Sequence, residues 1–146
     1  NQKSINLYGE HLLRTLALKH GKEPTTPEGV RVLQEFWKSK CGIDVAAINI
    51  MDGSGLSPGN RITTAAMAHI LQSIKKEAWF ASFYEGLPVY NRMKMKSGTI
   101  NDVLGYTGYQ TSSAGEELVF SFLVNNYNGS ASSVRQKMFK VLDTLK

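Results

Sequence analysis

Three short stretches of the chain carry side chains that chemistry can use. Ser4-Ile5-Asn6 sets a hydroxyl and a carboxamide just ahead of a helical pattern. Lys96-Ser97-Gly98-Thr99 sets a cation and two hydroxyls around a glycine, at the end of a strand-like run and beside the turn Ile100-Asn101-Asp102. Between them lies Asp52-Gly53-Ser54-Gly55-Leu56-Ser57-Pro58-Gly59-Asn60, too rich in Gly and Pro to be helix or strand. Each stretch alone has a plain structural reading. Ser and Asn are favoured at helix starts, Lys94 and Lys96 on one strand face make a solvated stripe, and the Asp52 glycines permit a tight turn. One further pattern, Ser73-Ile74-Lys75-Lys76, falls late in an amphipathic helix, and Ser73 reads as a solvated helix residue rather than a nucleophile.

The elements that must position these residues follow from spacing. Leu7 to Lys19 has helical periodicity through Leu12, Leu13 and Leu16, with Gly21 placed as a left-handed cap. Thr26 and Pro27 open a second helix, Val30, Leu33, Phe36 and Trp37 form its apolar face, and Gly42 closes it. Val45 to Met51 is a strand or a buried connector. Thr63 or Thr64 caps a third helix with Met67, Ile70, Leu71 and Ile74 on one face. Arg92 to Ser97 alternates with period two, as a half-buried strand does. Leu104–Thr111 and Leu118–Tyr127 are strand-like and joined by a hairpin turn at Ser112–Glu116. The run Leu118–Val124 is apolar on both faces and predicts a sheet covered on both sides. Ser132 caps a last helix with Val134, Met138, Val141, Leu142 and Leu145 inward. The order, helices then an antiparallel meander of about three strands then a helix, is α+β.

Composition narrows the function classes. With 146 residues, 42% hydrophobic and 20% charged, the chain can bury a core. No run approaches a membrane span. The single cysteine, Cys41, allows no internal disulfide, and His11, His20 and His69 lack ligand spacing, so no structural metal is expected. The net charge of +5 is spread along the chain, apart from Lys75-Lys76 and Arg92-Lys94-Lys96, without any helix-turn-helix or RNA-binding signature, so no nucleic-acid partner is expected. The chain opens on Asn1-Gln2-Lys3 rather than a methionine and reads as a processed piece or fragment.

Taken together and in order, the three stretches are specific. Active-site serine penicillin-recognising enzymes use Ser-x-x-Lys, then Ser-x-Asn, then Lys-Thr/Ser-Gly. Ser4 to Leu13 (SINLYGEHLL) resembles the Ser-x-Asn helix of the D-Ala-D-Ala carboxypeptidase/endopeptidase family of the penicillin-binding protein 4 type. Asp52-Gly53-Ser54-Gly55-Leu56-Ser57 is similar to a segment of that family that also precedes a helix, and Lys96-Ser97-Gly98 supplies the third motif. Leu87-Pro88-Val89 before it and Gly105-Tyr106-Thr107-Gly108-Tyr109 after it also fit, so the resemblance covers nearly the whole chain.

The resemblance implies the C-terminal part, residues 1–146, of a β-lactamase/transpeptidase-like domain, with an antiparallel sheet packed between helices. It implies a serine-type carboxypeptidase acting on peptidoglycan stem peptides in the periplasm or cell envelope, acylated by β-lactam antibiotics and needing no metal or organic cofactor. Ser4 would relay a proton to the leaving D-alanine, and Asn6 would hold the substrate amide carbonyl and orient the catalytic lysine. Lys96 would supply a positive field for the terminal carboxylate, and the Ser97 hydroxyl would bond it. Gly98 would leave room for an added substrate strand, and the Thr99 N–H would be an oxyanion donor. Ser4 and Lys96 would then face one cleft. The nucleophilic Ser-x-x-Lys should precede Ser4 and is not in this chain, so the 146 residues alone should be inert. The rival readings are a catalytically inactive relative that binds peptidoglycan or a partner protein, and an unrelated basic binding module.

Overall fold

The computed structural model describes residues 2–146, which form two compact units that meet in sequence at Ile70/Leu71. The first unit, Lys3–Ile70, is built on two helices. Helix α1 spans Asn6–Lys19 and ends in a Schellman motif: Gly21 N–H donates to Leu18 O and Lys22 N–H to Ala17 O, with Gly21 at φ +69°. Helix α2 spans Thr26–Cys41, and its cap is Thr25, whose hydroxyl accepts from Glu28 N–H at 3.4 Å. That is one residue earlier than the sequence predicts, because Thr25 has the extended backbone a cap needs (φ −105°, ψ 156°) while Thr26 is already helical. Gly42, left-handed at φ +66°, closes the helix as expected.

The buried faces of both helices are narrower than their apolar content. Leu13 and Ala17 of α1 and Gly29 and Val32 of α2 are buried, while Leu7, Tyr8, Leu12 and Phe36 are exposed. The apolar face expected for α2 is therefore rotated toward Gly29 and Val32. Residues 45–47 form a turn of 3₁₀ helix that leads into β1 (Ile48–Asn49), which pairs antiparallel with β2 (Arg61–Ile62). Ile43, Ile48 and Ala66 form this unit's own core with Trp37, Ile50, Ile62 and Ile70. Helix α3 (Thr64–Ile74) begins here, capped by the Thr63 hydroxyl, which accepts from Ala66 N–H.

The second unit holds α4 (Phe80–Glu85), a four-stranded antiparallel meander and α5 (Ala131–Leu142). The strands run in order: β3 (Val89–Tyr90), β4 (Met93–Ile100), β5 (Val103–Thr111) and β6 (Glu117–Asn125). Neither α4 nor β3 is legible from periodicity, since six and two residues are too few to establish one. The hairpin at Ser112–Glu116 forms as predicted, with Ser112 N–H donating to Glu116 O and Gly115 at φ +81°.

The alternation along β4 and β5 splits the sheet's two faces. Met93, Met95, Leu104 and Tyr106 point to the α5 side and meet Val134, Met138 and Leu142, all of them buried. Helix α5 is capped by Ser130, not Ser132, and Val141 is exposed rather than inward. Strand β6 is half-buried along its middle on both faces, so the sheet is less covered there than its apolar run suggests.

Candidate active site

Ser4 and Asn6 sit at the N-terminal end of α1, both exposed. The cap position is Ile5, whose side chain makes no capping bond, so neither residue serves as the helix cap. Ser4 has φ +48°, a left-handed conformation costing a serine about 1–2 kcal/mol. Asn6, Gly9, Glu10, Leu13 and Ala17 follow the i, i+3, i+4, i+7, i+11 spacing of one helical face, so Asn6 heads the stripe that α1 turns inward.

The Asp52 loop is bound to that same stripe. Glu10 Oε1 accepts from the backbone N–H of Gly53 at 3.1 Å and of Ser54 at 3.0 Å. Gly9 and Gly53 lie in backbone contact, and a Cβ on either would run into the other's carbonyl. Within the loop, the Asp52 carboxylate accepts from Gly55 N–H and Ser57 N–H at 2.6 Å each and from Asn60 Nδ2 at 2.9 Å. Asn60 also accepts from Met51 N–H at 2.8 Å and donates to Ser57 O at 3.0 Å. Burial pushes the Asp52 pKa up, but the bonds from Asn60 and from the backbone N–H groups of Ser57, Gly55 and Leu56 outweigh it and hold the carboxyl below its usual range. Glu10 is the residue with a visible structural task to which the sequence reading gave none. Its signal was its place four residues after Asn6, beside a glycine, with a second glycine in the loop.

Lys96-Ser97-Gly98-Thr99 lies in the interior of β4, which runs on to Ile100, rather than at the strand's end. The pairing with β5 is regular, with Lys96 opposite Thr107, Ser97 opposite Tyr106 and Gly98 opposite Gly105. The pleat therefore sends Lys94, Lys96 and Gly98 to one face and Ser97 and Thr99 to the other. Toward its other neighbour β4 is mostly open: β3 pairs only with Met93 and Lys94, and Met95 N–H bonds Pro88 O at 3.1 Å. Because Met95 turns its peptide groups toward β3, period two turns those of Ser97 and Thr99 the same way, past the end of β3. This leaves the β4 edge unpaired at Ser97 and Thr99, and on the adjoining face a Cβ at Gly98 would meet nothing within 4 Å.

The two lysines of this face are bonded differently. Lys94 Nζ reaches Glu85 Oε2 at 3.4 Å and lies 5.4 Å from the Tyr84 ring centroid, so it anchors α4. Lys96 is half-buried and donates to Ser97 O at 2.7 Å, on the open edge, and pairs with no carboxylate among the described residues. Ser4 and Asn6 belong to the first unit and Lys96 to Thr99 to the second. Ser73 is the penultimate residue of α3, which ends at Ile74, so Lys76 lies beyond the helical turn that a Ser-x-x-Lys pair would share. The described residues hold no group of three or more metal-ligating side chains, and no helix is long and apolar enough to cross a membrane.

The fold recurs in solved structures. Penicillin binding protein 4 (dacB) from Haemophilus influenzae, solved in complex with a β-lactam, superposes with a TM-score of 0.86 at 22% identity over 99% of this chain and 39% of its own. A predatory endopeptidase from Bdellovibrio bacteriovorus, solved with an immunity protein, superposes with a TM-score of 0.71 at 20% identity. These likenesses establish the fold, an α+β arrangement. In sequence, the chain is 28% identical to a D-alanyl-D-alanine carboxypeptidase of Actinomadura sp. (strain R39) over 88% of its length. It is 23% identical to the Haemophilus influenzae carboxypeptidase DacB over 87%. It spans 27% and 30% of those two relatives. Residues 1–145, which take in all three stretches described above, match the model of a single family, and the chain therefore belongs to the D-Ala-D-Ala carboxypeptidase 3 (S13) family.

Proposed function

We propose that the protein to which this chain belongs is a serine-type D-Ala-D-Ala carboxypeptidase of peptidoglycan metabolism, and that these 146 residues are the C-terminal part of its penicillin-binding domain. The observation that carries the reading is the open edge of β4. There an extended peptide can add as a strand, the Ser97 and Thr99 peptide groups face outward, and the half-buried Lys96 ammonium has no carboxylate partner among the described residues.

In this reading an upstream serine, activated by the lysine of its own Ser-x-x-Lys, attacks the carbonyl of the penultimate D-alanine. Lys96 holds the substrate's terminal carboxylate, and the Ser97 hydroxyl bonds it. Thr99 N–H donates to the oxyanion. Asn6 holds the substrate amide carbonyl and orients the catalytic lysine, and Ser4 passes a proton to the departing D-alanine. Water then hydrolyses the acyl-serine. The same chemistry allows endopeptidase action on cross-links and acylation by β-lactams, and it places the protein in the periplasm or cell envelope, where the substrate is.

The test is labelling of the full-length protein with a fluorescent penicillin, mapping of the adduct by mass spectrometry, and assay of D-alanine release from a stem pentapeptide. The expected adduct is on a serine outside residues 1–146 that is followed three residues later by lysine. The 146-residue chain alone should stay unlabelled, Ser73 included. An adduct on Ser73, or a full-length protein that takes no penicillin and releases no D-alanine, would refute the reading. The second outcome would leave a peptidoglycan- or partner-binding relative.

A further inference from the structure

We propose that Glu10 is a positioning residue for Ser4 and Asn6, acting by bolting the first turns of α1 to the Asp52 loop; this rests on the catalytic reading above. The N-terminal end of α1 has little to hold it. Its cap residue, Ile5, makes no side-chain bond, its first turn has no acidic residue to complement the helix dipole, and Ser4 is in a left-handed conformation. A free helix end of this kind frays. What replaces the missing cap lies one turn further on. The single oxygen Oε1 of Glu10 takes two consecutive backbone N–H groups, from Gly53 and Ser54, and the Gly9 and Gly53 backbones interlock beside it.

The receiving loop is itself rigidly cross-bonded through Asp52 and Asn60 and is anchored at both ends by the β1–β2 pair. Helix α1 is thus fixed against a rigid loop at Gly9 and Glu10, on the very stripe that Asn6 heads. Asn6 is four residues from Glu10 on that stripe, so the position of its carboxamide is set by how α1 is seated at Glu10. Both contacts constrain residue type. One side-chain oxygen must accept two backbone N–H groups, and only glycine fits on either side of the backbone approach.

The experiment uses the full-length protein with Glu10→Ala, Glu10→Gln and Gly9→Ala, and Arg31→Ala as a control that breaks only the exposed Arg31–Glu28 pair. Three quantities are read: the single-turnover rate of acylation by penicillin, the thermal midpoint, and hydrogen exchange in peptides covering residues 4–8 and 53–54. For Glu10→Ala the expectation is faster exchange in both segments and acylation slowed about 10- to 100-fold at a temperature where the variant is fully folded. Glu10→Gln, which keeps an oxygen acceptor in place, should recover to within about threefold of wild type. Gly9→Ala should slow acylation with Glu10 intact, and Arg31→Ala should leave the rate unchanged.

Normal acylation in folded Glu10→Ala would overturn the proposal, as would faster exchange confined to residues 53–54. Failure of Glu10→Gln to rescue would also overturn it, because charge rather than placement would then be the cause. Should Glu10→Ala not fold, the Gln and Gly9 variants decide. If wild type takes no penicillin, the catalytic reading falls, and exchange at residues 4–8 alone decides whether Glu10 positions that segment.

Discussion

Replacing Lys96 by alanine tests whether it serves the proposed substrate contact or only the fold. In the free protein Lys96 makes one hydrogen bond, to Ser97 O at 2.7 Å, and no ion pair among the described residues. Losing that bond from a half-buried site costs roughly 1 kcal/mol of stability. In the proposed reading the same ammonium would make a charge-assisted contact with a substrate or penicillin carboxylate worth about 2–4 kcal/mol, so acylation should slow ~30- to 1000-fold. Lys94, two residues away on the same face, should behave in the opposite way. It holds Glu85 at 3.4 Å and faces the Tyr84 ring at 5.4 Å. Lys94→Ala therefore gives up an exposed pair of about 0.2–1 kcal/mol and a cation–π contact of about 0.5–1 kcal/mol, all on the stability side. The assay is the second-order rate of penicillin acylation of each full-length variant beside its denaturant midpoint. Near-normal acylation in Lys96→Ala would make Lys96 a surface strand residue. Equal rate losses in both variants would mean that a general positive field, not the position of Lys96, matters.

Two further predictions concern the fold. Met138→Ala removes a side chain that is 2% exposed between α5 and the Met93–Met95–Leu104–Tyr106 face, and should cost about 2–5 kcal/mol in urea unfolding; a cost below about 1 kcal/mol would mean that α5 does not carry that core. The Asp52 carboxyl, held below its usual range, should titrate below an ordinary aspartate, followed through the amide shifts of Gly55 and Ser57. Because the folded pKa is the lower one, its contribution to stability is fully present above the unfolded value and is lost as pH falls through the folded value; a midpoint at or above that of an ordinary aspartate would contradict the bonding described for the loop.

The sequence was most informative where several residues had to agree and least where one residue had to be chosen among equals. The β4–β5–β6 meander was legible because alternation, two turn signals and a glycine-punctuated strand all give one antiparallel strand order. Cap positions slipped by a residue or two, Thr26 to Thr25 and Ser132 to Ser130. Neighbouring hydroxyls are chemically equivalent, and only the backbone's entry angle selects between them. The apolar surface of α1 also misleads, because Leu7, Tyr8, Leu12 and Leu18 look like core by type and are exposed, while the buried stripe is Leu13 and Ala17. At the candidate site the family was legible from the order of the motifs along the chain. The clamp at Glu10 was not, because a glutamate on a helix is ordinarily solvated, and its partners are backbone N–H groups 43 and 44 residues away.

The distribution of ion pairs gives a reason to read Lys96 as functional that owes nothing to family likeness. The chain has 17 basic and 12 acidic side chains, so not every cation can be paired, and the fold decides which ones are. Lys75 and Lys94, whose side chains are about as shielded as each other at 20% and 21% exposure, both have carboxylates: Glu117 at 2.6 Å and Glu85 at 3.4 Å. Lys96 sits on the same strand as Lys94, and its cross-strand neighbour is the neutral Thr107, whose hydroxyl is already committed to Phe120 O. A glutamate at that cross-strand position would neutralise Lys96 and favour the folded sheet by a few tenths of a kcal/mol. The chain forgoes that pair and leaves the ammonium on its own neighbour's carbonyl at an open strand edge. A half-buried cation held that way, in a fold that pairs Lys75 and Lys94 with carboxylates, supports the proposed role of Lys96 as the holder of an incoming carboxylate.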